Sequence, residues 1–429
     1  MHDKRLFFYL IAIILGVLTG TVGSLFQLAI LGTASLLDKL YAIAQQHHIS
    51  VGFVSAIVSM FMVFIASVLV KRYAAEAGGS GVQEIEGTLL HERPIYWRRL
   101  LPIKFIGGVF AIASKMVLGR EGPTIQMGGN LGDMLGEWFH FPQNRRDVLI
   151  AAGAAAGLAT AFNAPLAGVL FVIEEMRNEF NFSFTNFKAV AICCVFATIM
   201  LHLIMGSSPA IPMNIFKMPG LESLWLFFVF GIVVGFAGLI FNTVLMKTLY
   251  RLDKSRAWVL HFYVLLVGAM VGYLAYVYPH SVGGGYTIIH DALTLQPTLS
   301  VLIGLIAVRF FTTIVCYSTG VPGGIFAPML ALGTLMGLAF SNVLTLLSIH
   351  TPIAPGMFAV AGMGALFAAA VRAPLTGIIL VVEMTQNYYL ILPLMVTCLT
   401  STTIVQHFNN PPIYEQLLQR TLKRVTQRS

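Results

Sequence analysis

Three short glycine-rich segments carry residue types and spacings suited to holding an anion. The first, Gly119-Arg120-Glu121-Gly122-Pro123-Thr124, reads as a helix start, with glycines that expose bare backbone and a proline compatible with the first turn. Such an end leaves four backbone N–H groups without intrahelical partners, and the helix dipole adds about half a positive charge. Gly320-Val321-Pro322-Gly323-Gly324-Ile325-Phe326-Ala327-Pro328 has the same grammar, and Gly78-Gly79-Ser80-Gly81 contributes a hydroxyl donor. Three such turns meeting at one place would bind a dehydrated monovalent anion through donors that carry no formal charge. The ion would then be held weakly enough to leave again.

Glu121 is the titratable group in this set. A carboxylate at bilayer depth costs about 2.5 kcal/mol or more unless compensated. At a helix N-terminus the ionised side chain would itself fill an anion site, and once protonated it would release that site, so one group would link a proton to an anion. The competing reading is a carboxylate that only caps its helix or pairs with Arg120. Glu174 and Glu175 close the apolar run Leu166–Ile173 and are followed by Arg177 and Glu179. They read equally well as a proton relay or as a membrane-boundary cluster in which Arg177 neutralises one acid. Lys104, Lys115, Arg309 and Arg372 also fall in apolar stretches, where the expected roles are pairing with carboxylates or snorkelling to the interface.

The elements that must position these residues are membrane helices. Of 429 residues, 57% are hydrophobic and only 10% are charged, against roughly 25% charged in an ordinary soluble domain. Between Leu6 and His407 lie about ten to twelve apolar stretches near the roughly 20 residues needed to cross a bilayer as a helix. They are too continuous for the alternation of barrel strands, so the expected fold class is an all-α polytopic membrane protein. The net charge of +8 comes from Lys4-Arg5, the stretch Lys71–Arg99, Arg145-Arg146, the stretch Lys247–Arg256 and the tail Arg420–Arg428. Short basic connections of this kind follow the positive-inside rule and place both termini in the cytoplasm; they form no contiguous face for nucleic acid. The run Leu6–Leu31 is too long for a signal-peptide core and is expected to stay as a membrane helix. Cys193, Cys194, Cys316 and Cys398 lie in apolar stretches without ligand-type spacing, which argues against metal or disulfide roles.

The chain is also written twice. Gly16, Gly20, Gly23 and Phe26 recur as Gly231, Gly235, Gly238 and Phe241. Tyr73, Gly78 and Gly79 recur as Tyr278, Gly283 and Gly284, and Pro123, Gly128 and Gly132 as Pro328, Gly333 and Gly337. The longest block, Ala152-Gly153 through Ala164-Pro165-Leu166 and Gly168 to Glu174, returns as Ala361-Gly362, Ala373-Pro374-Leu375, Gly377 and Glu383. Four blocks in the same order divide the chain into halves of 1–215 and 220–429. Duplicated halves with Gly- and Pro-interrupted helices are a pattern of secondary transporters, whose sites form from broken helices at the repeat interface. Because Glu383 is the mate of Glu174, a shared structural role is the better reading for that pair.

Taken with the late Tyr414, the three glycine segments resemble the four signature regions of the CLC chloride channels and chloride/proton antiporters, over nearly the whole chain. The bacterial antiporter branch is the better match, and Glu174-Glu175-Met176-Arg177 resembles it too. The resemblance implies two inverted-topology halves of tilted, broken, partly spanning helices, a homodimer with one pathway per subunit, and a place in the bacterial inner membrane. It implies no cofactor, chloride and protons being the transported species. The hydroxyls of Ser80 and Tyr414 and the backbone N–H groups of Ile325 and Phe326 would surround a central chloride. Glu121 would be the external gating glutamate that competes with chloride and carries the proton. Glu175 would be the internal proton-transfer glutamate, which is apolar in the family's channels, and its presence favours exchange over passive conduction. Gln83 stands where the first motif usually has proline, which bears on the start of that helix and the aim of Ser80; retention of Ser80 favours chloride over nitrate or fluoride. The short N-terminus implies an absent or reduced first cytoplasmic helix, and the tail after Tyr414 implies no appended regulatory domain.

Two other readings compete. A passive chloride channel would use the same fold. An intramembrane serine protease would use Ser80 in its Gly-x-Ser-Gly setting, with His202 as a base within hydrogen-bond reach. An ATP-driven pump is disfavoured because the chain has no Gly-x-x-x-x-Gly-Lys-[Ser/Thr] loop, so energy must come from an ion gradient.

Overall fold

The computed structural model describes residues 2–176, 183–295, 297–349 and 352–426. Arg177 and Glu179 lie outside them. The first part of the chain forms α1 (His2–Gln46), α2 (Val51–Tyr73), α3 (Val82–Leu89), α4 (Trp97–Ala113), α5 (Glu121–Trp138), α6 (Gln143–Phe162), α7 (Pro165–Glu175) and α8 (Phe184–Met205). The second part repeats that order as α9 (Leu224–Asp253), α10 (Ala257–Val277), α11 (Tyr286–Leu295), α12 (Leu299–Tyr317), α13 (Phe326–Leu346), α14 (Pro355–Val371), α15 (Pro374–Thr385) and α16 (Ile391–His407). A last helix, α17 (Ile413–Thr426), follows.

The prolines and glycines punctuate these elements as their chemistry requires. Pro165 and Pro374 open α7 and α15, where the missing N–H has no partner to lose. Glu121-Gly122-Pro123 and Phe326-Ala327-Pro328 form the first turns of α5 and α13. Several helices are too short to cross: α7, with 11 residues, is about 16 Å long against a hydrocarbon core of about 30 Å. Among the described residues eight helices have the length and apolarity of a full span, fewer than the stretches counted in the sequence. The difference arises in part because apolar runs such as Pro355–Val371 and Pro374–Thr385 fold into helices of 17 and 12 residues, shorter than the eight full-length spans.

Close helix crossings are made through small residues. A Cβ on Gly128 would strike the Gly153 carbonyl, so α5 and α6 touch backbone to backbone, and α13 meets α14 in the same way at Gly333 and Gly362. Without a hydrophobic drive between helices in lipid, such van der Waals contact is the main source of packing energy. The four cysteines are buried and unpaired.

The halves also hold each other. Glu174, near the end of α7, accepts the N–H groups of Leu375 (2.9 Å) and Thr376 (2.6 Å) at the start of α15. Glu383 on α15 returns the contact to Leu166 (3.1 Å) and Ala167 (2.8 Å) at the start of α7. Each carboxylate thus caps a helix of the opposite repeat, where the dipole favours negative charge. This is the shared structural role that their repeat relation suggested.

Candidate anion-binding site

The three glycine segments meet. Gly79 N–H donates to the Val321 carbonyl (3.1 Å), and Gly323 N–H donates to that of Gly79 (3.0 Å). Gly119 and Gly324 exchange two hydrogen bonds of 2.8 Å. The segment 320–325 is therefore sandwiched between the other two. Side chains are excluded from this junction: a Cβ on Gly324 would lie 3.0 Å from Gly122 N, and Gly79 and Gly81 have φ of +64° and +88°.

Two buried cations brace the turns. Lys104 Nζ on α4 donates to the carbonyls of Ala77 (2.9 Å), Gly79 (2.8 Å) and Ser80 (3.2 Å). Its repeat mate on α12, Arg309, donates from Nη1 to Val282 and Gly283, both at 2.9 Å. The expectation of carboxylate partners or snorkelling is corrected here: both side chains are fully buried and satisfy backbone carbonyls freed where the chain leaves helix.

Around this junction the helix starts converge. Val82 begins α3 directly after Ser80-Gly81, so Gln83 occupies its second position without delaying the helix. Ser80 is fully buried, its N–H facing Tyr317 Oη at 3.5 Å, and a Cβ on Gly122 would lie 2.6 Å from its Oγ. Ile325 caps α13 and Phe326 is its first residue, which puts their N–H groups ahead of the intrahelical ladder. Tyr414 at the start of α17 is fully buried and stacks on Phe326, centroids 5.8 Å apart. The helix is docked by Arg420, whose Nε and Nη2 grip both oxygens of Asp253 at 2.6 and 2.7 Å. Although the Ser80 and Tyr414 hydroxyls lie close enough to act on each other, Ser80 Oγ, Tyr414 Oη and Glu121 Oε2 are all buried with no partner in good hydrogen-bond geometry among the described residues. Buried polar atoms are rarely left so, and two hydroxyls beside two helix N-termini suit a small anion.

Glu121 is the first residue of α5 and has no exposed surface. Its carboxylate folds back over Gly119, where a Cβ would strike Oε2, and the amides of Glu121 and Ala327 lie close enough to act on it electrostatically. Oε1 accepts from Tyr286 Oη at 2.9 Å. Arg120 makes no ion pair with it among the described residues. Its Nε and Nη2 instead donate to the Ala161 carbonyl (3.3 and 3.0 Å), with the guanidinium 4.9 Å from the Tyr286 ring centroid. Tyr286 escaped the sequence reading. The available signal was its place directly after Gly283-Gly284-Gly285, the repeat of the segment that carries Ser80.

Glu175 ends α7, half-buried and within electrostatic reach of the Tyr414 phenol. His202 is elsewhere: its Nε2 lies 2.7 Å from Asn163 Oδ1, while Ser80 Oγ has no partner in good hydrogen-bond geometry among the described residues. The serine-protease dyad is therefore not formed. A cavity of about 490 Å³ opens beside the Gly78-Gly79 turn and is lined by Gln83, Tyr317 and Gly320, with Lys71, Arg93, Arg420 and Arg424 at its walls. Glu84 and Asp253 line the same cavity and pair with Arg93 and with Arg420 and Arg424, so the four basic residues and two acids leave one approach to the junction with a positive excess that favours anions.

The sequence profile of the voltage gated chloride channel family matches residues 62–406. The chain belongs to that family. It is 44% identical over 424 residues to the H(+)/Cl(-) exchange transporter ClcA of Vibrio parahaemolyticus serotype O3:K6 (strain RIMD 2210633), covering 96% of this chain and 90% of that protein. The X-ray structure of a slow cyanobacterial Cl-/H+ antiporter is similar at a TM-score of 0.93 and 41% identity, over 97% of this chain and 98% of that one. A CLC-type fluoride/proton antiporter shares the fold at a TM-score of 0.77 with 19% identity, over 97% and 98% of the two chains. The family resemblance read from the sequence holds, as does the all-α fold class of inverted halves with broken, partly spanning helices. The chain is a multi-span membrane protein.

Proposed function

We propose that this protein exchanges chloride for protons across the membrane. The observation that carries the reading is the placement of Glu121: a fully buried carboxylate at a helix N-terminus, in the same junction as the buried hydroxyls of Ser80 and Tyr414. In this reading Ser80, Tyr414 and the Ile325 and Phe326 amides hold chloride. Ionised Glu121 competes with that ion for polarised N–H groups, and protonated Glu121 gives way. Glu175, within electrostatic reach of Tyr414, passes the proton on toward the face that carries Lys71, Arg93, Arg420 and Arg424. That basic face is the cytoplasmic one under the positive-inside rule, with both termini on it. The halves 1–215 and 220–429 act as the two repeats of one membrane unit. A homodimer with one pathway per subunit, seated in a bacterial inner membrane and needing no cofactor, completes the proposal. The relatives named as exchange transporters support exchange over passive conduction.

Reconstitution in liposomes with chloride efflux and proton uptake recorded together tests it. Wild type moves both ions. Glu121→Ala passes chloride and moves no protons, because the anion site outlasts its titratable competitor; Glu175→Ala sharply reduces proton movement while chloride still flows. Proton-coupled flux that survives Glu121→Ala refutes the assignment. A current that reverses at the chloride equilibrium potential and ignores a pH gradient would show a channel.

A further inference from the structure

Tyr286 is placed to control how firmly Glu121 sits in the anion junction. It is the first residue of α11 and follows Gly283 and Gly285, whose φ values of +76° and +114° are open to glycine and strained for other residues. The turn is tied down by Gly283 N–H, which donates to Lys115 O at 2.8 Å, and by packing of Gly285 against Ala331 and Arg309. From that anchor the phenol reaches Glu121 Oε1 at 2.9 Å. The ring is half-buried and rests on the Arg120 guanidinium, which the Ala161 carbonyl holds in place. The charged groups facing the pair are Arg120 and, beneath Gly285, Arg309; farther along α11, Asp291 is held by both His280 (3.0 Å) and His290 (3.3 Å).

We infer that Tyr286 is a positioning residue that latches Glu121 in its seated form, so that chloride must break this hydrogen bond to take the site. The inference rests on the exchange reading above and adds to it a determinant of chloride affinity and turnover. An O–H donated to a carboxylate is among the stronger hydrogen bonds, and it favours the seated, ionised competitor over the anion that replaces it. Phenylalanine keeps the ring on Arg120 and removes only the hydroxyl, so Tyr286→Phe isolates the latch.

Chloride binding to the full-length protein in detergent, measured calorimetrically at neutral pH, tests it in four proteins: wild type, Tyr286→Phe, Glu121→Ala and the double variant. Tyr286→Phe binds chloride roughly tenfold more tightly than wild type, the loss of one hydrogen bond to a charged group. The double variant matches Glu121→Ala, since no carboxylate remains to be latched. The gap between Tyr286→Phe and wild type closes as acid protonates Glu121. In liposomes Tyr286→Phe speeds chloride efflux with an unchanged chloride-to-proton ratio. Equal affinities of Tyr286→Phe and wild type overturn the latch alone, as does an equal gain in the Glu121→Ala background, which would mean that the ring shapes the site without restraining the acid. A Glu121→Ala protein that binds chloride no better than wild type overturns the exchange reading and the latch with it.

Discussion

Lys104 offers the sharpest test of how the junction is held. It is fully buried, and its ammonium supplies hydrogen bonds to three carbonyls of the segment that carries Ser80. In Lys104→Met the side chain keeps its bulk and loses all three. Gly79 O retains the Gly323 amide at 3.0 Å, so the carbonyls of Ala77 and Ser80 are the ones deprived. At about 1–3 kcal/mol for each buried polar group left unpaired, the loss is about 2–6 kcal/mol. Removing a buried charge relieves part of this, leaving a net cost on the order of 3 kcal/mol. With unfolding entropy near 2.1 cal/mol/K per residue, that lowers the thermal midpoint in detergent by about 3 °C. Chloride affinity falls as well, because Ser80 loses its brace. Arg309→Met is the internal control. Arg309 holds two carbonyls through Nη1, but its Nε and Nη2 are buried without partners among the described residues. Substitution there removes unpaired donors as it creates unpaired acceptors, and the net change is within about 1 kcal/mol. Thermal melts and chloride titrations of the two variants side by side decide the matter. If Arg309→Met is destabilised as much as Lys104→Met, or if Lys104→Met melts with wild type, the bracing account is wrong.

Gly122→Ala places a methyl 2.6 Å from Ser80 Oγ and 2.7 Å from Ser80 O, so the serine must move; chloride affinity drops roughly tenfold or more while the fold survives, and calorimetry that shows unchanged binding would sink the assigned geometry. Glu174→Ala and Glu383→Ala each remove a carboxylate that caps two backbone N–H groups of the other repeat, at a cost of about 1–3 kcal/mol in this half-exposed setting. Inactivation half-lives at fixed temperature should shorten by similar factors in the two variants, and a silent member of the pair would contradict the reciprocal cap.

Much of the site is local, and that part was legible in the residues alone. Proline cannot donate from its nitrogen and glycine accepts positive φ, so Pro123, Pro328, Pro165 and Pro374 mark helix starts, and Gly78-Gly79-Ser80-Gly81 marks a turn that exposes a hydroxyl. Apolar content required helices in lipid, and the repeated blocks showed two copies of one pattern. Glu121 and the Ser80 hydroxyl could therefore be singled out from type and spacing, whereas the roles of Ile325, Phe326 and Tyr414 came only from the family resemblance. Tertiary structure decided which of these ends meet and what braces them. Tyr286 reaches Glu121 across 165 positions of sequence, and Glu174 reaches α15 across some 200. Lys104 and Arg309 were expected to pair with acids or snorkel to the interface and turned out to serve carbonyls, because only the packed fold shows where backbone leaves helix inside the membrane. The count of full spans was set in the same way. Hydropathy records which segments avoid water, whereas their length and tilt in lipid depend on where neighbouring helices, touching at Gly128 and Gly153, allow a chain to stop and turn.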